Sequence, residues 1–101
     1  MNPWQEEDFR ERASRSFFDR WARTYDDGRI SPWFLYTQQL TIDVLRLGPA
    51  SRVLDVGCGP GYATILLASM VPEGKACGVD ISPGMIEQAR TKVPAPLKGR
   101  V

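Results

Sequence analysis

Histidine is missing from this sequence altogether. A Ser-His or Cys-His nucleophile pair therefore cannot be assembled from its own residues. Cysteine is scarce, with only Cys58 and Cys77. Two cysteines make no disulfide framework, and without histidine they make no recognisable zinc site. No excess of either charge exists, since 13 basic against 12 acidic residues leave a formal +1. That balance argues against a non-specific grip on nucleic acid or on an anionic membrane, so no nucleic-acid partner is expected. No apolar run approaches the ~18 residues of a membrane span, and none is expected. The opening "MNPWQEEDFRERASRSFF" is charged from Glu6 onward and carries no apolar core of a secretory signal. These absences lead to the expectation of a reduced, cytoplasmic protein.

What is present is ordinary for a globular protein: 101 residues, 43% hydrophobic and 25% charged. That length makes one small domain or part of a larger one. The periodicity divides it into a helical segment, 1–50, and a βαβα segment, 51–101. Phe9, Ala13, Phe17, Trp21 and Tyr25 recur every fourth residue and share one helix face, which predicts a helix over roughly 5–24. Ser31-Pro32 supplies an N-cap and a first-turn proline for a second helix, carried by Trp33, Tyr36, Leu40, Val44 and Leu47 and closed by Gly48-Pro49. "SRVLDVG" reads as a strand, Tyr62 to Pro72 as a helix, and "ACGVDIS" as a second strand. Ser82-Pro83 repeats the cap pairing and opens a helix to about Lys92. "VPAPLKGRV" is a proline-broken linker, read as entering a third strand. Strands alternating with single helices imply right-handed crossovers and a parallel sheet, so the fold class is α/β.

The stretch "VLDVGCGPGYAT", Val53–Thr64, carries the chemistry. Gly57, Gly59 and Gly61 permit positive φ and let a ligand touch the backbone. The start of the following helix offers free N–H groups to an anionic group. Asp80 stands at the end of the second strand. Ends of adjacent strands in a βαβ unit are neighbours, so its carboxylate belongs beside the loop, where it can accept both hydroxyls of a ribose. The competing reading makes Asp80 a plain helix-start acid. A dinucleotide loop of the G-x-G-x-x-G kind wants a third glycine where Tyr62 stands. Asp55, two residues before the loop, suits a cationic ligand better than a pyrophosphate. Both residues disfavour a nicotinamide-dependent oxidoreductase.

"VLDVGCGPGYAT" followed by "GVDISPGMIEQAR" resembles the first two cofactor motifs of class I S-adenosylmethionine (SAM)-dependent methyltransferases, nearest to the small-molecule group that includes the ubiquinone/menaquinone biosynthesis enzymes. "FFDRWARTYDD" is similar to the segment those enzymes carry before their first strand. The resemblance spans roughly residues 17–92. It implies a partial Rossmann-like sheet, with SAM as cofactor and a small-molecule acceptor. Asp55 would face the methionine ammonium. Gly57, Cys58, Gly59 and Gly61 would line methionine and ribose by backbone, and Asp80 would hold the ribose hydroxyls. Ile81 and Met85 would flank the adenine, and Tyr25 would close over the cofactor. Met85 and Tyr25 also read as ordinary core and as the end of the aromatic stripe. Cys58 is expected to act through its backbone and small size rather than as a reactive thiol. Phe17, Trp21, Trp33, Phe34 and Tyr36 either roof an apolar acceptor pocket or pack on the sheet and each other.

The resemblance implies a seven-stranded sheet of order 3-2-1-4-5-7-6, of which this sequence reaches two strands and touches a third. The first strand's second edge would then lie open, a template for aggregation or for another chain. A truncated product, a fragment or one half of a split enzyme is expected, marginal in isolation or completed by a partner chain. Two functions follow: SAM-dependent methyl transfer, of which this is the cofactor-binding half, or a non-catalytic remnant acting through a partner. No catalytic residue can be named, because methyl transfer from a sulfonium needs mainly alignment and exclusion of water.

Overall fold

The computed structural model describes residues 9–24 and 31–101. The chain runs α1 (Phe9–Ala22), α2 (Ser31–Val44), β1 (Arg52–Val56), α3 (Tyr62–Met70), β2 (Lys75–Val79) and α4 (Pro83–Lys92), with a short 3₁₀ turn at Ala95–Leu97. The expected order of helix, helix, β, α, β, α is observed. β1 and β2 pair in parallel, Val53 opposite Ala76 and Val56 opposite Val79. The fold is thus α/β, a partial Rossmann-like sheet.

Local chemistry explains the boundaries. β1 ends where Gly57 turns to φ 73°, and Gly61 opens α3 from the left-handed region, with φ 87° and ψ 11°. α4 begins as its sequence dictates: the Ser82 side chain accepts from the Met85 N–H, and Pro83 takes the first helical position. Successive strand residues point to opposite faces. One face carries Val53 and Ala76 into a core with Ile42, Leu67, Ala68 and Leu97. The other carries Leu54, Val56 and Val79, exposed at 63%, 76% and 43%. Among the described residues β1 pairs only with β2. On the far side of β2, the Ala76 N–H donates to the Arg100 carbonyl at 2.9 Å. That bond lies where the linker was expected to enter a third strand.

Two helix readings need correction. The aromatic stripe of α1 does not define its packed face: Phe9 and Phe17 are exposed, while Arg15, Phe18, Asp19 and Ala22 turn inward. α1 packs on α4, with Asp19 and Ala22 lying against Gly84. Of the stripe expected in α2, Trp33, Tyr36, Leu40 and Val44 are exposed, Leu47 lies beyond the helix against the core, and Ile42 is the buried residue among the described residues of the helix. α2 also ends at Val44 rather than at Gly48-Pro49. Arg46 takes the left-handed turn instead, at φ 49°. Gly48 serves a separate turn, in which its N–H donates to Ser51 Oγ and its carbonyl accepts from the Ser51 N–H.

Candidate functional site

The parallel register brings the carboxyl ends of β1 and β2 level. Residues 57–61 leave one strand there and Asp80 leaves the other. Loop and strand end are stitched together by backbone, because the N–H groups of Gly57 and Cys58 both donate to the Val79 carbonyl, at 2.8 and 2.9 Å. Asp80 lies just beyond β2 rather than on it. Its Oδ2 accepts from the Gly59 N–H at 2.8 Å and its Oδ1 from the Ser82 N–H at 2.9 Å. One carboxylate therefore joins the glycine loop to the start of α4.

The three glycines of the loop do different jobs. Gly57 and Gly59 have φ of 73° and 55°, and a Cβ on either would meet nothing within 4 Å. They are required by backbone conformation, and they leave bare peptide facing open space. A Cβ on Gly61 would lie 2.8 Å from the Ala89 Cβ, so this glycine lets α4 close on the loop. Gly78, which the sequence reading passed over, has a similar role. A side chain there would come within 2.9 Å of the Cys58 Cβ and of the Thr64 Oγ1.

Cys58 is buried. Burial first, then the carboxylates of Asp80 and Asp55, push its thiol up to about 11. The thiol stays protonated at neutral pH, in keeping with a residue that acts through size and backbone. Asp55 accepts from the buried Thr64 hydroxyl at 2.7 Å, tying β1 to the first turn of α3.

Above the loop lies a cleft of about 660 Å³. It is lined by Gly57, Cys58, Gly59 and Pro60 of the loop, by Val56, Val79, Asp80, Ile81 and Met85 from the strand ends to α4, and by Phe18, Trp21, Phe34 and Gln38 of α1 and α2. Of the site residues expected from sequence, Gly57, Cys58, Gly59, Asp80, Ile81 and Met85 meet at this cleft. Asp55 and Gly61 stand behind it, shaping the loop. Tyr25 lies outside the described residues. Of the five aromatic candidates for a roof, Trp21 and Phe34 line the cleft. Phe17, Trp33 and Tyr36 are exposed at 54%, 65% and 60%. Phe18 and Gln38 were missed, although Gln38 follows Phe34 by one helical turn and Phe18 precedes Trp21 by slightly less.

Comparison with known proteins agrees with this geometry. Residues 53–100 match the family model described as a methyltransferase domain. The chain is 43% identical over 72 residues to a trans-aconitate 2-methyltransferase of Variovorax paradoxus, covering 71% of this chain and 26% of that protein. It is 36% identical over 91 residues to a demethylmenaquinone methyltransferase of Symbiobacterium thermophilum, covering 85% and 36%. It is 49% identical over 78 residues to a malonyl-(acyl-carrier protein) O-methyltransferase of Acetivibrio thermocellus, covering 74% and 26%. The resemblance to the N-terminal portion of class I SAM-dependent methyltransferases is thereby borne out, and nothing found supports an oxidoreductase. The chain spans between about a quarter and about a third of the length of these curated relatives.

Proposed function

We propose that the cleft binds SAM and serves methyl transfer to a small-molecule acceptor. One observation carries the reading: two left-handed glycines with open space above them stand beside a carboxylate from the next strand end. Bare peptide accepts a close ligand, and the carboxylate accepts ribose hydroxyls. The cleft volume falls within the ~300–1,000 Å³ typical of small-molecule sites. Gly57, Cys58 and Gly59 would run beneath the methionine and ribose. Asp80 would take the ribose hydroxyls by yielding one of its present backbone donors. Ile81 and Met85 would pack on the adenine, and Asp55 would hold negative charge at the base of the loop toward the ammonium. When bound, SAM supplies an activated methyl group, and the protein's own part is to align the acceptor and exclude water.

The relatives' names agree on methyl transfer and differ in acceptor. Among the described residues no helix is long and apolar enough to cross a membrane. Isothermal titration with S-adenosylhomocysteine tests the reading, with Asp80→Ala and NAD as controls. Saturable binding to the parent chain, weakened at least about tenfold by Asp80→Ala, is expected for loss of a group worth more than ~1.4 kcal/mol. Equal heats from both chains, or preference for NAD, would reject it.

The bare sheet face of Leu54, Val56 and Val79 favours a second proposal, that further polypeptide covers it. It is compatible with SAM binding in the cleft; the alternative to methyl transfer is the non-catalytic case in which the chain acts only through that polypeptide.

A further inference from the structure

The hydrogen bonds around Asp80 do not stop at Ser82. Ser82 is fully buried, and its hydroxyl accepts from the Met85 N–H while donating to Asp19 Oδ1. The same Asp19 oxygen accepts from the Gly84 N–H at 2.9 Å. Asp19 belongs to α1, more than sixty residues away in sequence. A continuous line therefore runs from the Gly59 amide through Asp80 and Ser82 to Asp19 on α1. The contact is shaped to be close. A Cβ on Gly84 would lie 3.0 Å from Asp19 Oδ1 and 3.4 Å from the Ala22 Cβ. Phe18 and Trp21, which flank Asp19 on α1, are the part of that helix lining the cleft, and their rings lie 6.0 Å apart.

We propose that Asp19 is a positioning residue of the cleft: it clamps α1 onto the start of α4, and so fixes Phe18 and Trp21 as an aromatic wall over the ligand. An exposed interhelical ion pair would hold α1 weakly. Here a carboxylate instead caps one orphan donor at a helix start, the Gly84 N–H, where the helix dipole also favours negative charge. Hydrogen bonds from Ser82 and then Gly84 keep its carboxyl below the ordinary 3.8, so it is charged at neutral pH. The same network includes Asp80, so the wall and the ribose-binding acid are positioned together. This inference rests on the SAM reading for the identity of the ligand, but not for the clamp itself.

Two readouts on the full chain separate the possibilities. The first is titration with S-adenosylhomocysteine. Asp19→Ala is expected to weaken binding about tenfold, and Asp19→Asn, which keeps an acceptor, to stay within about threefold. The Asp19→Ala and Phe18→Ala losses should be less than additive in the double variant, because both remove the same wall. A purely structural role would lower the folded fraction and leave additive losses. The second readout needs no ligand: acrylamide quenching of Trp21 in a chain carrying Trp4→Phe and Trp33→Phe. Asp19→Ala and Gly84→Ala should each raise quenching. Unchanged quenching in both variants would overturn the clamp, and so would unchanged affinity in Asp19→Ala beside a parent that binds. A parent chain that binds no S-adenosylhomocysteine, with quenching raised as expected, would reject the SAM reading and leave the clamp standing.

Discussion

Cys58 illustrates how a residue at the centre of a site can be chemically silent. Its buried side chain lies against Gly78 of β2, and a thiol pushed up to about 11 offers little thiolate at neutral pH. Cys77, by contrast, is exposed on the bare face of the sheet. Iodoacetamide at pH 7.5 should therefore modify Cys77 first and leave Cys58 intact, with Cys58 alkylation rising only as the pH approaches its own ionisation. Peptide mapping after timed labelling checks this, and equal rates at both positions would contradict the burial of Cys58. At this scale the sequence was most informative about backbone. Gly57, Gly59 and Asp80 could be placed because spacing and strand order alone bring them together. Asp19 could not: its partners Ser82 and Gly84 lie on a helix that only the fold carries to α1. Gly78 was equally invisible, since what it avoids is a contact with Cys58 and Thr64 across the loop.

Elements whose signals are local were the legible ones. α4 starts and ends where Ser82-Pro83 and Lys92 imply, because capping is settled within a few residues. The strands and the crossover helix α3 followed from β-rich runs punctuated by glycine. The packed faces of α1 and α2 did not follow, because a stripe of large apolar residues shows periodicity but not which neighbour it meets. In α2 the inward residue is Ile42, which packs in the core with Leu67, Ala68, Ala76 and Leu97. Leu40, on the expected stripe, is half exposed. Urea unfolding should thus show Ile42→Ala costing about 2–5 kcal/mol, as for other buried large-to-small changes, and Leu40→Ala costing under about 1 kcal/mol. The reverse order would mean that α2 packs by the stripe read from sequence.

At the scale of the whole molecule, one sheet face is covered and the other largely is not among the described residues. The core lies between α2, α3 and the sheet, while Leu54, Val56 and Val79 remain bare. An open edge on β1 was expected from the strand order that the resemblance implies, and β1 does pair with β2 alone among the described residues. The cleft uses the end of that face, where Val56 and Val79 line it, together with the loop after β1, the acid after β2 and residues of α1 and α2. These parts are proposed to form a SAM site within this chain. Amide NMR of the ¹⁵N-labelled protein, titrated with S-adenosylhomocysteine, tests it most directly. Dispersed resonances are expected, with saturable shifts concentrated at Gly57, Gly59 and Asp80 and smaller ones along Phe18 to Trp21. A folded spectrum in which those amides stay fixed at saturating ligand would contradict it.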